Sequence, residues 1–82
     1  MNYYVYLIVS KIKKKTISYV GYTNNLKKRI KHHNSNKGAK FTKGKKWKLV
    51  YYEVYDTKIE AMKKEYSLKK NYYLRNKLKR LK

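Results

Sequence analysis

The chain has 82 residues and a formal net charge of +20, because 24 lysines and arginines face only four acidic residues. It contains no cysteine, which excludes disulfide frameworks and thiolate metal sites. We therefore expect a single domain over residues 1–82, with a polyanion such as nucleic acid as its partner. Compositional drift toward lysine is an alternative source of part of the charge.

The hydropathy of the chain predicts an intracellular, cytoplasmic protein with no membrane partner. No apolar run approaches the roughly 20 residues that a membrane-spanning helix needs. The N-terminus carries strand-like aromatic residues where a signal peptide would have a charged region. We interpret the sequence as that of a monomer.

The first half of the chain predicts a hairpin followed by a helix. Residues 3–9 and 17–22 are rich in aromatic and β-branched side chains, which is typical of strands, and the charged residues 11–16 form the turn between them. Thr23 or Asn24 is expected to cap the next helix, because either side chain can accept a bond from a free N–H of the first turn.

The middle of the chain predicts a loop and then a third strand. The first helix should end near Asn34, and residues 34–46 lack apolar periodicity, so they are expected to form a loop or an irregular basic arm. Residues 47–55 read as the strand. Trp47 is interpreted as a core residue of that strand rather than a platform on which bases stack.

The last third of the chain predicts two helices. Thr57 and Glu60 fit a capping box, which begins a helix that reaches about residue 71. Leu74, Leu78 and Leu81 recur at helical spacing and predict a short third helix over residues 72–82. The fold class is therefore α/β, of the α+β type, with a small three-stranded antiparallel sheet flanked by helices.

Arg29 and His33 are candidate site residues in the first predicted helix. They are four residues apart, so their side chains are neighbours beside the apolar stripe formed by Leu26 and Ile30. An arginine at the border of a core can reach a phosphate while its stem packs on apolar surface. The alternative is that Arg29 is one more solvated cation.

Glu65 is the candidate carboxylate. It lies between Ala61 and Leu68 in the apolar arc of its helix, where a carboxylate needs a cation. That cation is either a divalent metal or Lys69, which is four residues away. The remaining acidic residues do not cluster, so we expect one metal ion or none rather than a two-metal centre.

The order of these residues resembles the GIY-YIG nuclease domain. The matching elements are Tyr4-Val5-Tyr6, Tyr19-Val20-Gly21, the helical Arg29 and His33, and Glu65. The segments Gly38-Ala39-Lys40-Phe41-Thr42 and Leu49-Val50-Tyr51-Tyr52-Glu53 are similar to the small, single-domain branch of that family. The sequence departs from the two motifs for which the family is named. Tyr4 stands where the first motif has glycine, and Val5 and Val20 replace the isoleucines of the two motifs.

The resemblance implies a metal-dependent endonuclease that hydrolyses DNA phosphodiester bonds, with one Mg²⁺ or Mn²⁺ held by Glu65. By the same resemblance, Tyr6 acts as general base or positions the water, and Tyr19 assists it. Arg29 stabilises charge on the phosphoryl oxygens. His33 relays a proton or contacts the leaving oxygen. Asn71 and Asn76 are the two candidates for a late asparagine found in many members.

Basic side chains outside this set are expected to contact phosphates, which positions the substrate without reading its sequence. These residues are Lys28, Lys40, Lys43, Lys45 and Lys46. DNA is the expected partner, and RNA is possible. Two alternatives are a non-catalytic basic module that binds DNA or RNA and a ribosome- or RNA-associated basic protein.

Overall fold

The computed structural model describes residues 2–80, which form one antiparallel sheet and three α-helices. Along the chain the elements are β1 (Tyr3–Ile12), β2 (Lys15–Thr23), α1 (Leu26–Asn34), β3 (Lys48–Tyr55), α2 (Lys58–Lys70) and α3 (Tyr72–Lys79). The strand order is β2-β1-β3, and both pairings are antiparallel. This confirms the predicted α+β fold. Within residues 2–80 no helix is long and apolar enough to cross a bilayer.

β1 is the central strand, and both of its faces are buried. Val5, Leu7 and Val9 point to one face, where they pack with Ala61 and Leu68 of α2 and with part of α3. The alternating residues Tyr6 and Ile8 point to the other face, where they pack with Trp47 and the apolar side of α1. A strand covered on both faces reads as a continuous apolar run, which explains the sequence of β1.

The hairpin between β1 and β2 is longer than predicted. The strands continue to Ile12 and from Lys15, so the turn consists of two residues, and Lys13 adopts a left-handed φ of 56°. The charged side chains at the end of the hairpin are exposed, so hydrophobic patterning gave no sign that the ladder continues through them.

The predicted cap of α1 was wrong by one or two positions. Asn25 is the cap, and its side-chain oxygen accepts a bond from the Lys28 N–H at 3.1 Å. Thr23 ends β2 instead, and its hydroxyl accepts a bond from the Asn25 N–H at 3.2 Å. Because β2 extends to Thr23, this residue belongs to the strand and does not cap α1.

Two caps set the ends of α2. Thr57 accepts the Glu60 N–H at 3.2 Å and donates to the Glu60 carboxylate at 3.0 Å, which places the start of α2 as predicted. Asn71 separates α2 from α3 and accepts the Leu74 N–H at 3.0 Å. Leu78 of α3 is buried and Leu74 is partly buried, whereas Leu81 lies outside the described residues.

Candidate functional site

The Tyr6 hydroxyl is the centre of a buried polar cluster. His33 Nε2 lies 2.7 Å from it, and Arg29 Nε donates to it at 3.3 Å. Arg29 and His33 are one turn apart on α1, so both side chains reach the same atom. The structure therefore brings together three of the predicted site residues.

Gly21 provides the space for the Tyr6 ring. It lies opposite Tyr6 in the β1–β2 register, and a Cβ atom at this position would be 2.7 Å from the Cζ atom of Tyr6. Contacts under 3.0 Å force a side chain or the backbone to shift, and the Tyr6 ring is fully buried. The glycine that follows Tyr19 and Val20 thus has a packing role that connects β2 to the site.

Tyr19 lies beside this cluster on β2. Its ring is edge-on to the His33 ring, with 5.2 Å between the ring centroids, and it is stacked with Phe41 at 6.2 Å. Burial alone would lower the pKa of Arg29, but the hydrogen bond with Tyr6 and the further interactions with Tyr6 and Tyr19 outweigh it and raise that pKa. Tyr19 is partly exposed, so it is the more accessible of the two phenols.

Burial is the largest cause of the shifted pKa values of Tyr6 and His33. It raises the pKa of Tyr6 to about 12, although the hydrogen bond and the charge of Arg29 act in the opposite direction. Burial, followed by the charges of Arg29 and His32, lowers the pKa of His33 to about 4. At neutral pH the pair therefore consists of a protonated phenol and an uncharged imidazole.

The loop between α1 and β3, residues 35–47, completes the surroundings of His33. We call it the basic loop. It contains a single 3-10 turn, Lys40–Thr42, where the sequence predicted no regular structure. Thr42 is fully buried, and its hydroxyl lies 2.9 Å from His33 Nδ1. Thr42 was not among the predicted site residues, and its only signal in the sequence is its place in the Gly38-Ala39-Lys40-Phe41-Thr42 segment that is similar to the family.

Trp47 anchors the basic loop. Its indole N–H donates to the Thr42 carbonyl at 3.0 Å, and its backbone exchanges two bonds with the Asn34 side chain, at 2.6 and 3.1 Å. Trp47 is 5% exposed and packs with Tyr6 and Ile8. The interpretation of Trp47 as a core residue agrees with this burial.

The predicted phosphate contacts differ in their exposure. Lys28, Lys40, Lys43 and Lys46 are exposed, and Lys28 lines the same groove as Arg29. Lys45 is partly buried, and its amine donates to the Phe41 carbonyl at 2.9 Å. Part of the binding capacity of Lys45 is therefore used within the basic loop.

Glu65 comes from α2, which packs on the other face of the sheet from α1. Its side chain is 20% exposed and pairs with Lys69 at 3.5 Å, which is the structural alternative considered from the sequence. Burial is the main cause of the raised pKa of Tyr6, and the charge of Glu65 adds to it as the smallest contribution. Within residues 2–80 no three His, Asp or Glu side chains gather into a metal-binding cluster.

The two candidate asparagines have other surroundings. The Asn71 side chain serves as a helix cap, as described above. Asn76 lies on α3 in a groove with Thr16, Lys79 and Arg80. Neither residue lines the grooves that contain Arg29.

Comparison with known proteins identifies relatives of this chain. The UPF0213 protein CPE1444 of Clostridium perfringens is 51% identical over 71 residues, which are 85% of this chain and 72% of that protein. The UPF0213 protein YazA of Bacillus subtilis is 53% identical over 53 residues, 63% of this chain and 54% of that protein. The solution NMR structure of the UPF0213 protein BH0048 from Bacillus halodurans is 44% identical, with a TM-score of 0.47, and the match covers 84% of this chain and 71% of that one.

A family model described as the GIY-YIG catalytic domain matches residues 2–79, nearly the whole chain. The match includes both tyrosine motifs, the helix with Arg29 and His33, and Glu65. The chain therefore belongs to the GIY-YIG family, together with its UPF0213 relatives.

Proposed function

We propose that this protein is a divalent-metal-dependent nuclease that hydrolyses phosphodiester bonds in DNA. The observation that carries the proposal is the convergence of Arg29 and His33 on the hydroxyl of Tyr6, at 3.3 and 2.7 Å, in a chain with a net charge of +20. The GIY-YIG domain is typically an endonuclease, which supports the same activity.

Arg29 supplies the positive charge at the site. Its Nε donates to Tyr6 and the guanidinium also interacts with Tyr19, and its further N–H groups can donate to a phosphate. Arg29 lines grooves with the polar residues Thr23 and Asn24, where a nucleic-acid backbone can approach. As negative charge builds on the phosphoryl oxygens during attack, a guanidinium in this position stabilises it.

Tyr6 and His33 form a relay for the proton of the attacking water. The water proton passes to the Tyr6 oxygen while the Tyr6 proton passes to His33 Nε2, and the leaving oxygen takes a proton from solvent. The charge of Arg29 is one cause of the low pKa of His33. A bound phosphodiester anion offsets that charge, so substrate binding makes His33 a better proton acceptor.

Glu65 is the residue that would hold the metal. A single carboxylate fits Mg²⁺ or Mn²⁺, because magnesium is commonly bound by one or two carboxylates, with water and substrate phosphate as further ligands. The metal would supply charge stabilisation at the phosphate. Glu65 would have to leave Lys69, an exposed partner whose pairing with it is weak.

The test is cleavage of labelled single-stranded, duplex and branched DNA, and of RNA, with and without Mg²⁺ or Mn²⁺. We expect metal-dependent cutting that falls about 100- to 1,000-fold in Arg29→Lys, because the substitution removes a positioned donor. Tyr6→Phe and Glu65→Gln should also abolish most cutting while DNA binding persists.

Matched controls separate these effects from general damage. Tyr66→Phe removes a hydroxyl from a tyrosine that is 61% exposed on α2. Glu53→Gln neutralises a carboxylate on β3, the edge strand farthest from Tyr19. Both variants should cut like the native chain. Salt-sensitive binding without cutting under any condition would refute the nuclease proposal and favour the non-catalytic binding module.

A further inference from the structure

Thr42 carries a buried hydroxyl in a loop that is otherwise rich in exposed lysines. The residue is fully buried, as is His33, whose Nδ1 lies 2.9 Å from the hydroxyl oxygen. Buried polar groups in folded proteins are paired, and the direction of each bond can be worked out from the available hydrogens. The relay described above does not use Thr42.

The hydrogen bonds around Thr42 determine which nitrogen of His33 carries the proton. The Thr42 hydroxyl donates to the Ala39 carbonyl at 2.8 Å, and a carbonyl can only accept. Because the hydroxyl has one hydrogen, it accepts a bond from His33 Nδ1. Nδ1 is therefore protonated, and Nε2 of the uncharged ring is free to accept the Tyr6 proton at 2.7 Å.

The surrounding backbone holds the hydroxyl in this position. The Thr42 N–H donates to the same Ala39 carbonyl at 3.0 Å, and the Thr42 carbonyl accepts the Trp47 indole N–H at 3.0 Å. Gly38 packs directly on the imidazole, since a Cβ atom there would lie 3.0 Å from both Cα and Cε1 of His33. The basic loop thus surrounds the Nδ1 side of the ring.

We propose that Thr42 is a positioning residue that fixes His33 in the Nδ1-protonated tautomer, so that Nε2 faces Tyr6 as a proton acceptor. The consequence for cleavage rests on the proposed nuclease function, whereas the tautomer does not. An orienting partner on the far nitrogen of a histidine commonly affects activity by about 10- to 100-fold. Thr42 acts through His33 and not on the substrate.

The first readout is the tautomer itself, measured by long-range ¹⁵N–¹H NMR of the metal-free, ¹⁵N-histidine-labelled protein at pH 7. The chain has two histidines, so the spectrum is simple. We expect His33 to show a protonated Nδ1 and an unprotonated Nε2. In Thr42→Val, which keeps the shape but removes the acceptor, the Nε2-protonated tautomer should become populated. Thr42→Ser should restore the native pattern.

The second readout is kinetic. If the nuclease function holds, Thr42→Val should lower kcat about 10- to 100-fold with little change in KM, and Thr42→Ser should recover most of the loss. Thr16→Val is the matched control, because Thr16 is a partly buried threonine near the start of β2. It should change neither the tautomer nor the kinetics.

The outcomes separate this proposal from the nuclease function. An Nε2-protonated His33 in the native chain would overturn the role of Thr42 whether or not the protein cuts DNA, and this measurement needs no variant to fold. A native tautomer that persists in Thr42→Val would overturn it as well. Absence of cutting by the native chain would refute the nuclease function alone, because the tautomer is still measured.

Discussion

His33 should make the stability of the protein depend on pH. Its pKa is lowered from 6.5 to about 4 by burial first and by the charges of Arg29 and His32 second. The folded protein therefore binds fewer protons than the unfolded chain between these values. The stabilisation is fully present above pH 6.5 and is lost as the pH falls toward 4.

The size of the effect follows from the displacement of the pKa. Each pH unit is worth about 1.4 kcal/mol, so the unfolding free energy should fall by about 3 kcal/mol between pH 7 and pH 4. This is a large share of the stability of a small domain. The conversion applies because the imidazole is fully buried and little screened by solvent.

Urea denaturation monitored by Trp47 fluorescence at a series of pH values measures this loss, since Trp47 is the only tryptophan. His33→Gln removes the titrating group, so the fall in stability should be smaller than in the native chain by about 3 kcal/mol. His32→Gln retains His33 and removes only the smallest cause of its lowered pKa, so this variant should keep most of the native pH dependence. Equal pH dependence in the native chain and His33→Gln would refute the reasoning.

Three further predictions concern local geometry and charge. Gly21→Ala should destabilise the fold by about 1–3 kcal/mol in urea denaturation, because its Cβ meets the buried Tyr6 ring; an unchanged midpoint would contradict this. Lys13→Gly should raise stability by up to about 1 kcal/mol in the same assay, because glycine removes the steric cost of a left-handed φ; a loss of stability would show that the Lys13 side chain matters more. Lys43→Ala should reduce the salt dependence of DNA binding by about one unit of log–log slope, as for one lost phosphate contact, and an unchanged slope would exclude Lys43 from the interface.

The three strands and three helices were predictable from the sequence. The apolar run in β1, the aromatic and β-branched residues of β2 and β3, and the cap at Thr57 are local signals, and each predicted its element. The spacing of Arg29 and His33 placed both on one flank of α1 for the same reason. The cap of α1 at Asn25 and the two-residue length of the hairpin turn were not predictable, because exposed polar residues are compatible with both strand and loop.

How these elements meet depends on contacts between segments that are distant in the sequence. The strand register places Gly21 under the Tyr6 ring, and the return of the basic loop places Thr42 against His33, nine residues farther along the chain. At Tyr6, burial outweighs the hydrogen bond and the charge of Arg29 and raises the pKa of the phenol. Residue types and spacing specify which groups are available, whereas burial and the direction of each hydrogen bond depend on contacts between segments that are distant in sequence.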